Sequence, residues 1–236
     1  MSDAPGPLIA SGRDADIFDV GGGRVLRRSR EAGRDVGREA ELMRWLHGQG
    51  FPVPEIYDAT PTDLIMERID GPTLVDHAAK MPWTIPAIGR TLGDLHQRLH
   101  AITAPSFVDR RVGKGTALLH LDLHPLNVLV GPNGPVVIDW TNARVGDPAY
   151  DVAYAWLVIA TADLNSSVVE RALALVGRRA LLRGFLSRVD RDSAAVAMMH
   201  LVDQGLVRLD HFSDAERARI AALPAQVAPP AGPGRR

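Results

Sequence analysis

The chain has 236 residues, 46% of them hydrophobic, a formal net charge of -1 and no cysteine. Near-neutral charge removes any global electrostatic drive toward nucleic acid or an anionic membrane, and the lack of cysteine excludes disulfides, thiolate metal sites and cysteine nucleophiles. This length can bury a substantial core, as one large domain or two small lobes.

The opening MSDAPGP has neither a basic start nor an apolar core, so it does not read as a signal peptide. Residues 8–19 and 24–28 read as short strands, joined by a turn at Gly21, Gly22 and Gly23. A helix follows over about 35–47, with Leu42, Met43 and Leu46 as its apolar stripe and Gly48 and Gly50 at its end. PVPEIYDA is extended, and 64–66 is a short apolar strand stopped by the turn Asp70, Gly71, Pro72.

Beyond this point the helical spacing takes over. Ile88, Leu92, Leu95 and Leu99 mark a helix over 85–102. Residues 118–121 lead into a loop; 127–130 and 135–138 then form two strands joined by a Gly-Pro-Asn-Gly turn. Asp147 and Pro148 start a helix, because Asp caps free N–H groups and Pro fits the first helical position. The longest apolar run, around 153–162, is far short of the ~20 residues that a membrane span needs. The rest, to about 223, is mostly helical, and 224–236, rich in Pro, Ala and Gly, reads as a disordered tail. The fold class is therefore α+β, with a strand-rich N-lobe over 1–70 and a mainly helical C-lobe with a β-hairpin over 71–223. The expected setting is cytoplasmic, with no membrane or nucleic-acid partner.

The segment HLDLHPLNVLVGPNGPVVIDW carries the chemistry, with His120, Asp122, Asn127 and Asp139. Phosphoryl transfer from ATP needs a carboxylate beside the acceptor hydroxyl and hard oxygen ligands that hold Mg²⁺ against the phosphates. Asp122 leads the loop, Asn127 sits five residues further, and the hairpin can return Asp139 beside Asn127. A second reading takes His120, Asp122 and His124 as an H-x-D-x-H metal cluster, since alternate residues of a strand share a face. His96 and His100, spaced i, i+4, could also share a metal, although His96 reads better as packed and His100 as solvated. GKGT at 113–116 lacks the spacing of a phosphate loop.

HLDLHPLN resembles the H-x-D-x-x-x-x-N catalytic loop of aminoglycoside phosphotransferases and related small-molecule kinases of the protein-kinase-like fold. IDW stands where protein kinases have DFG, and GDPAYDVA is similar to the segment that follows in the family. The match covers about 9–156, with Leu121 where the family commonly has Gly. The resemblance implies a two-lobed kinase fold and an ATP-dependent transfer (GTP possible) to a hydroxyl of a small molecule, an aminoglycoside-like antibiotic or a metabolite. By it, Asp122 is the catalytic base, His120 braces the loop, and Asn127 and Asp139 hold Mg²⁺. Asp147 and Asp151 tie down the helix behind. Upstream, Gly12 lies in the nucleotide loop, Arg27 grips the phosphates with Glu39 as its partner, Met66 is the gatekeeper, and the backbone of Glu67 and Ile69 reaches the adenine.

Some residues keep open readings. A one-residue slip of the strand would put Arg28 in the place of Arg27, and Glu39 could be an exposed helix charge. The helices after 160 mix acids and bases about equally, which does not favour a polycationic acceptor. A catalytically silent nucleotide-binding regulator is the alternative function. The chain is expected as a monomer or homodimer.

Overall fold

Turn chemistry folds the first third of the chain into an antiparallel sheet. The structure is a computed structural model and describes residues 6–12, 15–30, 36–162, 168–203 and 213–227. The sheet runs β1 (Leu8–Ser11), β2 (Ala15–Gly21), β3 (Arg24–Ser29), β5 (Asp63–Glu67), β4 (Ile56–Ala59), each neighbour antiparallel to the next. The stretch 8–19 is thus two strands. The chain reverses after Gly12, whose N–H donates to the Ala15 carbonyl at 2.9 Å. Gly21, Gly22 and Gly23 all have positive φ, the left-handed backbone that glycine enters without a Cβ clash.

The helix α1 (Val36–Gly48) turns its apolar stripe, with Ala40, Leu42, Met43 and Leu46, into the core. The hairpin β8 (Val128–Gly131) and β9 (Gly134–Val137) pairs Gly131 with Gly134 across the turn.

By its contacts the chain sorts into two compact units: 1–73 with 127–141, and 74–126 with 142–236. The hairpin, expected with the helical lobe, therefore groups with the first sheet. Its backbone explains why. Val130 N–H donates to Pro72 O at 2.9 Å and Val137 N–H to Pro52 O at 2.8 Å, and Trp140 meets Phe51 edge-on at 5.6 Å.

In the second unit, α2 (Leu74–Lys80) is a short helix with no counterpart in the sequence reading. The helix α3 (Ile85–His100) buries Ile88, Leu92, Leu95 and Leu99, as its spacing predicts. A small sheet, also unforeseen, joins β6 (Arg111–Val112), β10 (Arg144–Gly146) and β7 (Ala117–Leu119) in that order. The GKGT segment is the turn between β6 and β7, with Gly113 and Gly115 at positive φ, so its glycines serve the turn. Asp147 caps α4 (Pro148–Thr161) by accepting the Ala149 N–H at 2.9 Å.

Among the described residues three further helices follow: α5 (Val168–Leu186), α6 (Arg191–Asp203) and α7 (Asp214–Val227). Residues 224–227 of the expected tail are helical instead, because α7 runs through a buried Pro224 and packs on α4 and α6. Residues 228–236 of that tail lie outside the described residues. Among the described residues no helix is long and apolar enough to cross a membrane.

Candidate active site

The first unit contains a pocket of about 410 Å³ whose lining gathers four of the six upstream candidates, Gly12, Arg27, Glu39 and Met66, with Asn127 and Asp139 of the central segment. Strand register decides which arginine enters it. On β3, Arg27 Nη1 donates to Glu39 Oε1 at 2.7 Å, with the two side chains 13% and 3% exposed. Arg28 points away and forms a two-pronged pair with Asp63 on β5, at 2.9 and 2.7 Å. That pairing holds the Asp63 carboxyl below its ordinary range.

Glu39 is therefore a buried, paired carboxylate and not an exposed helix charge. It also reaches the segment after the hairpin. Oε1 accepts the backbone N–H of Trp140 at 3.1 Å, and Oε2 accepts the Thr141 hydroxyl at 3.3 Å. The same Thr141 oxygen lies 2.8 Å from Asp139 Oδ1. A polar chain thus links Arg27 to Asp139 through Glu39 and Thr141. Asp139 has φ +64°, a conformation that costs a non-glycine residue energy and that these contacts over-determine. Thr141 escaped the sequence reading, which had no signal for a hydroxyl two residues past Asp139.

Asn127 ends a 3-10 turn (Pro125–Asn127), and its carbonyl accepts the Ile138 N–H at 3.0 Å, which ties the Asn127 backbone to the residue before Asp139. Both side chains offer hard oxygen donors in one pocket, a set that suits Mg²⁺ completed by substrate phosphates. Met66 lines the same pocket with Met43, Ile17 and Ile138. Glu67 and Ile69 follow it in the chain but are absent from the lining. The turn around Gly12 is braced by Arg30, which donates to the Gly12 carbonyl at 3.1 Å and to Asp16 Oδ2 at 2.9 Å.

Asp122 and His120 belong to the second unit. His120 is fully buried, and Leu121 has φ +55°, so residues 120–124 form an irregular loop rather than a strand. Alternate residues then have no common face, which removes the premise of a His120–Asp122–His124 metal cluster. No group of three or more potential ligands exists among the described residues. His124 Nε2 instead sits 3.2 Å from Asp122 Oδ1.

The loop is held by Asp151. Its Oδ2 accepts the His120 N–H at 3.0 Å and its Oδ1 the Leu121 N–H at 2.7 Å. The expectation had Asp151 securing its own helix; the carboxylate secures the loop. His100, expected in solvent, is only 11% exposed and places Nε2 2.9 Å from Asp151 Oδ2. Burial alone would raise the Asp151 pKa, but the hydrogen bond from His100 and the electrostatic influence of the surrounding imidazoles hold it well below the ordinary carboxylate range. His96, packed against Phe185 at 5.1 Å, behaves as its spacing predicts.

Comparisons with known proteins bear on the family and the fold. The model of the family described as "Phosphotransferase enzyme family" matches residues 6–114 and 106–185. Among curated proteins, a "Probable bifunctional tRNA threonylcarbamoyladenosine biosynthesis protein" of Methanoculleus marisnigri is 28% identical over 144 residues, 56% of this chain and 23% of that protein. "Uncharacterized protein YcbJ" of Bacillus subtilis is 50% identical over 38 residues, 15% of this chain and 12% of that protein. The chain thus spans less than a quarter of the length of these relatives. Among solved structures, the ADP-bound aminoglycoside phosphotransferase APH(2'')-Ib has a TM-score of 0.59 at 15% identity, covering 94% of this chain and 92% of that one. A choline/ethanolamine kinase family protein from Mesorhizobium loti has a TM-score of 0.56 at 16% identity, covering 94% and 87%. These likenesses show a common α+β kinase-like fold.

Proposed function

The chain belongs to the phosphotransferase enzyme family, and from that premise we propose that it moves the γ-phosphoryl group of ATP to a hydroxyl of a small molecule. The observation that carries the reading is the convergence of the Arg27–Glu39 ion pair, Asn127 and Asp139 on one pocket. Solved structures of similar fold include an ADP-bound aminoglycoside phosphotransferase and a gentamicin complex, which supports a nucleotide and a small-molecule acceptor.

In this mechanism Arg27 neutralises phosphate charge, and Glu39 fixes its guanidinium. Met66 packs against the base, and the backbone of Glu67 and Ile69 serves as the adenine edge. Asn127 and Asp139 would hold Mg²⁺, which would supply charge to shield the phosphate oxygens. Thr141 orients the Asp139 carboxylate. Asp122 aligns the acceptor hydroxyl and takes its proton, and His124 keeps the Asp122 carboxylate aimed. His120 braces the loop from within the core.

The test is Asp122→Ala, assayed with a broad alcohol panel and both Mg·ATP and Mg·GTP. Turnover should fall by roughly 10³-fold or more while nucleotide affinity stays within about twofold. Near-normal turnover in that variant would falsify the base assignment. Nucleotide binding by the wild type without transfer to any alcohol would point to the silent regulator.

A further inference from the structure

The second unit holds a pocket of about 470 Å³, a volume suited to a drug-sized molecule. Its wall is aliphatic, with Leu74, Val75, Ile85, Leu126 and Ile159 among the lining. Val75 is 42% and Leu126 54% exposed, so the apolar lining continues to an open mouth. At one wall stands His124, whose Nε2 lies 3.2 Å from Asp122 Oδ1.

The polar content of this pocket is small and one-sided. None of the described lining residues is acidic. Among the described lining residues the one permanent charge is Arg178, which faces the end of α4, donating to the Ala160 carbonyl at 3.0 Å and to the Ala162 carbonyl. A polyamine sugar that left water for this pocket would lose hydration and meet no carboxylate among the described lining residues, a cost that its charge would not recover there. An uncharged apolar skeleton would gain from the same surface.

We propose that this pocket is the acceptor site, and that the acceptor is a largely apolar, uncharged alcohol and not an aminoglycoside; the assignment rests on the phosphotransferase reading above. The skeleton lies against Leu74, Val75 and Ile159, and the hydroxyl points past His124 to Asp122. In the reaction the alcohol oxygen forms a bond to the γ-phosphorus as the bond between that phosphorus and the β–γ bridging oxygen breaks. The hydroxyl proton passes to the Asp122 carboxylate, and ADP leaves with the bridging electron pair.

The experiment compares 2-(1-naphthyl)ethanol with gentamicin, as phosphate acceptors and by calorimetric titration without nucleotide. The naphthyl alcohol should bind and be phosphorylated, and gentamicin should do neither. Val75→Glu and Ala79→Glu, two exposed positions of α2 on the pocket wall, should each raise the KM for the alcohol about tenfold. Their KM for ATP should stay within about twofold, a split that a misfolded variant would not give. Transfer to gentamicin but not to the naphthyl alcohol, or unchanged alcohol KM in both variants, overturns the inference and leaves the phosphotransferase reading standing. Transfer to neither acceptor, with the alcohol bound, sinks that reading and the acceptor assignment with it.

Discussion

Asp151 Oδ1 lies 2.7 Å from the backbone nitrogen of Leu121, so a fully buried carboxylate on α4 grips the residue before Asp122. With the His120 N–H and His100 Nε2 it has three hydrogen-bond partners, enough to keep a charge in the core. Asp151→Asn keeps the volume but turns one acceptor into a donor that faces a donor. We expect a loss of about 2–4 kcal/mol in urea unfolding and a larger fall in kcat than in ATP affinity. An unchanged unfolding midpoint would show that the loop backbone is held by other contacts.

Leu121 itself poses a contest between strain and burial. Its φ of +55° costs roughly 1–2 kcal/mol for an L-residue. Its side chain, however, packs with Val112 and Leu119 and is 9% exposed, and deleting a buried leucine costs about 2–5 kcal/mol. Burial wins on these magnitudes. Leu121→Gly should therefore lower the melting temperature despite relieving the backbone; a rise would show that strain dominates.

Arg27 and Arg28 separate cleanly by partner. Arg27 faces the pocket with Glu39, and Arg28 is committed to Asp63 on the neighbouring strand. Lysine keeps the charge but loses the two-pronged geometry. Arg27→Lys should weaken ATP binding about tenfold, measured by titration with Mg·ATP, whereas Arg28→Lys should leave it unchanged. Equal effects at both positions would refute the register as the basis of phosphate grip.

The reading of the sequence succeeded where spacing is local. The stripes of α1 and α3, the glycine turn between β2 and β3 and the cap at Asp147 all follow from nearest-neighbour rules. Spacing also nominated Asn127 and Asp139, which share a pocket. It missed what depends on distant partners. Nothing around His100 signals that a carboxylate 51 positions away will bury it, and the link from Thr141 to Glu39 spans 102 positions. The hairpin grouped with the first sheet because of bonds to Pro52 and Pro72, whose free carbonyls carry no sequence signature. The strands β6 and β10 are too short, at two and three residues, for alternation to show.

Helices α3 and α5 meet through glycines. A Cβ on Gly89 would stand 2.3 Å from the Leu181 carbonyl oxygen, and one on Gly184 would stand 2.5 Å from the Pro86 oxygen. Both obstacles are backbone and cannot swing aside. Gly89→Val should therefore separate the helices and destabilise the protein by about 3 kcal/mol or more, read from chemical denaturation. Gly48→Ala, where a Cβ meets nothing within 4 Å, is the control and should be neutral or slightly stabilising. A mild effect at Gly89 would mean that α5 does not pack this closely in solution.

His96 ties stability to pH. It is fully buried, Nδ1 donates to the Leu92 carbonyl at 2.9 Å, and Nε2 has no hydrogen-bond partner among the described residues. Burial pushes its pKa down to about 4, with the charge of Asp151 opposing the shift and those of His100 and His120 adding to it. The folded protein thus keeps His96 neutral at a pH where the unfolded chain, titrating near 6.5, takes up a proton. Stability from this group is complete above about pH 6.5 and is lost as pH falls toward 4. The loss totals on the order of 3 kcal/mol, since each pKa unit is worth about 1.4 kcal/mol. His96→Leu removes the titration and the unpaired nitrogen together, so its unfolding free energy should decline less between pH 6.5 and 4 than that of the wild type. Parallel pH profiles would assign the acid limb to other groups.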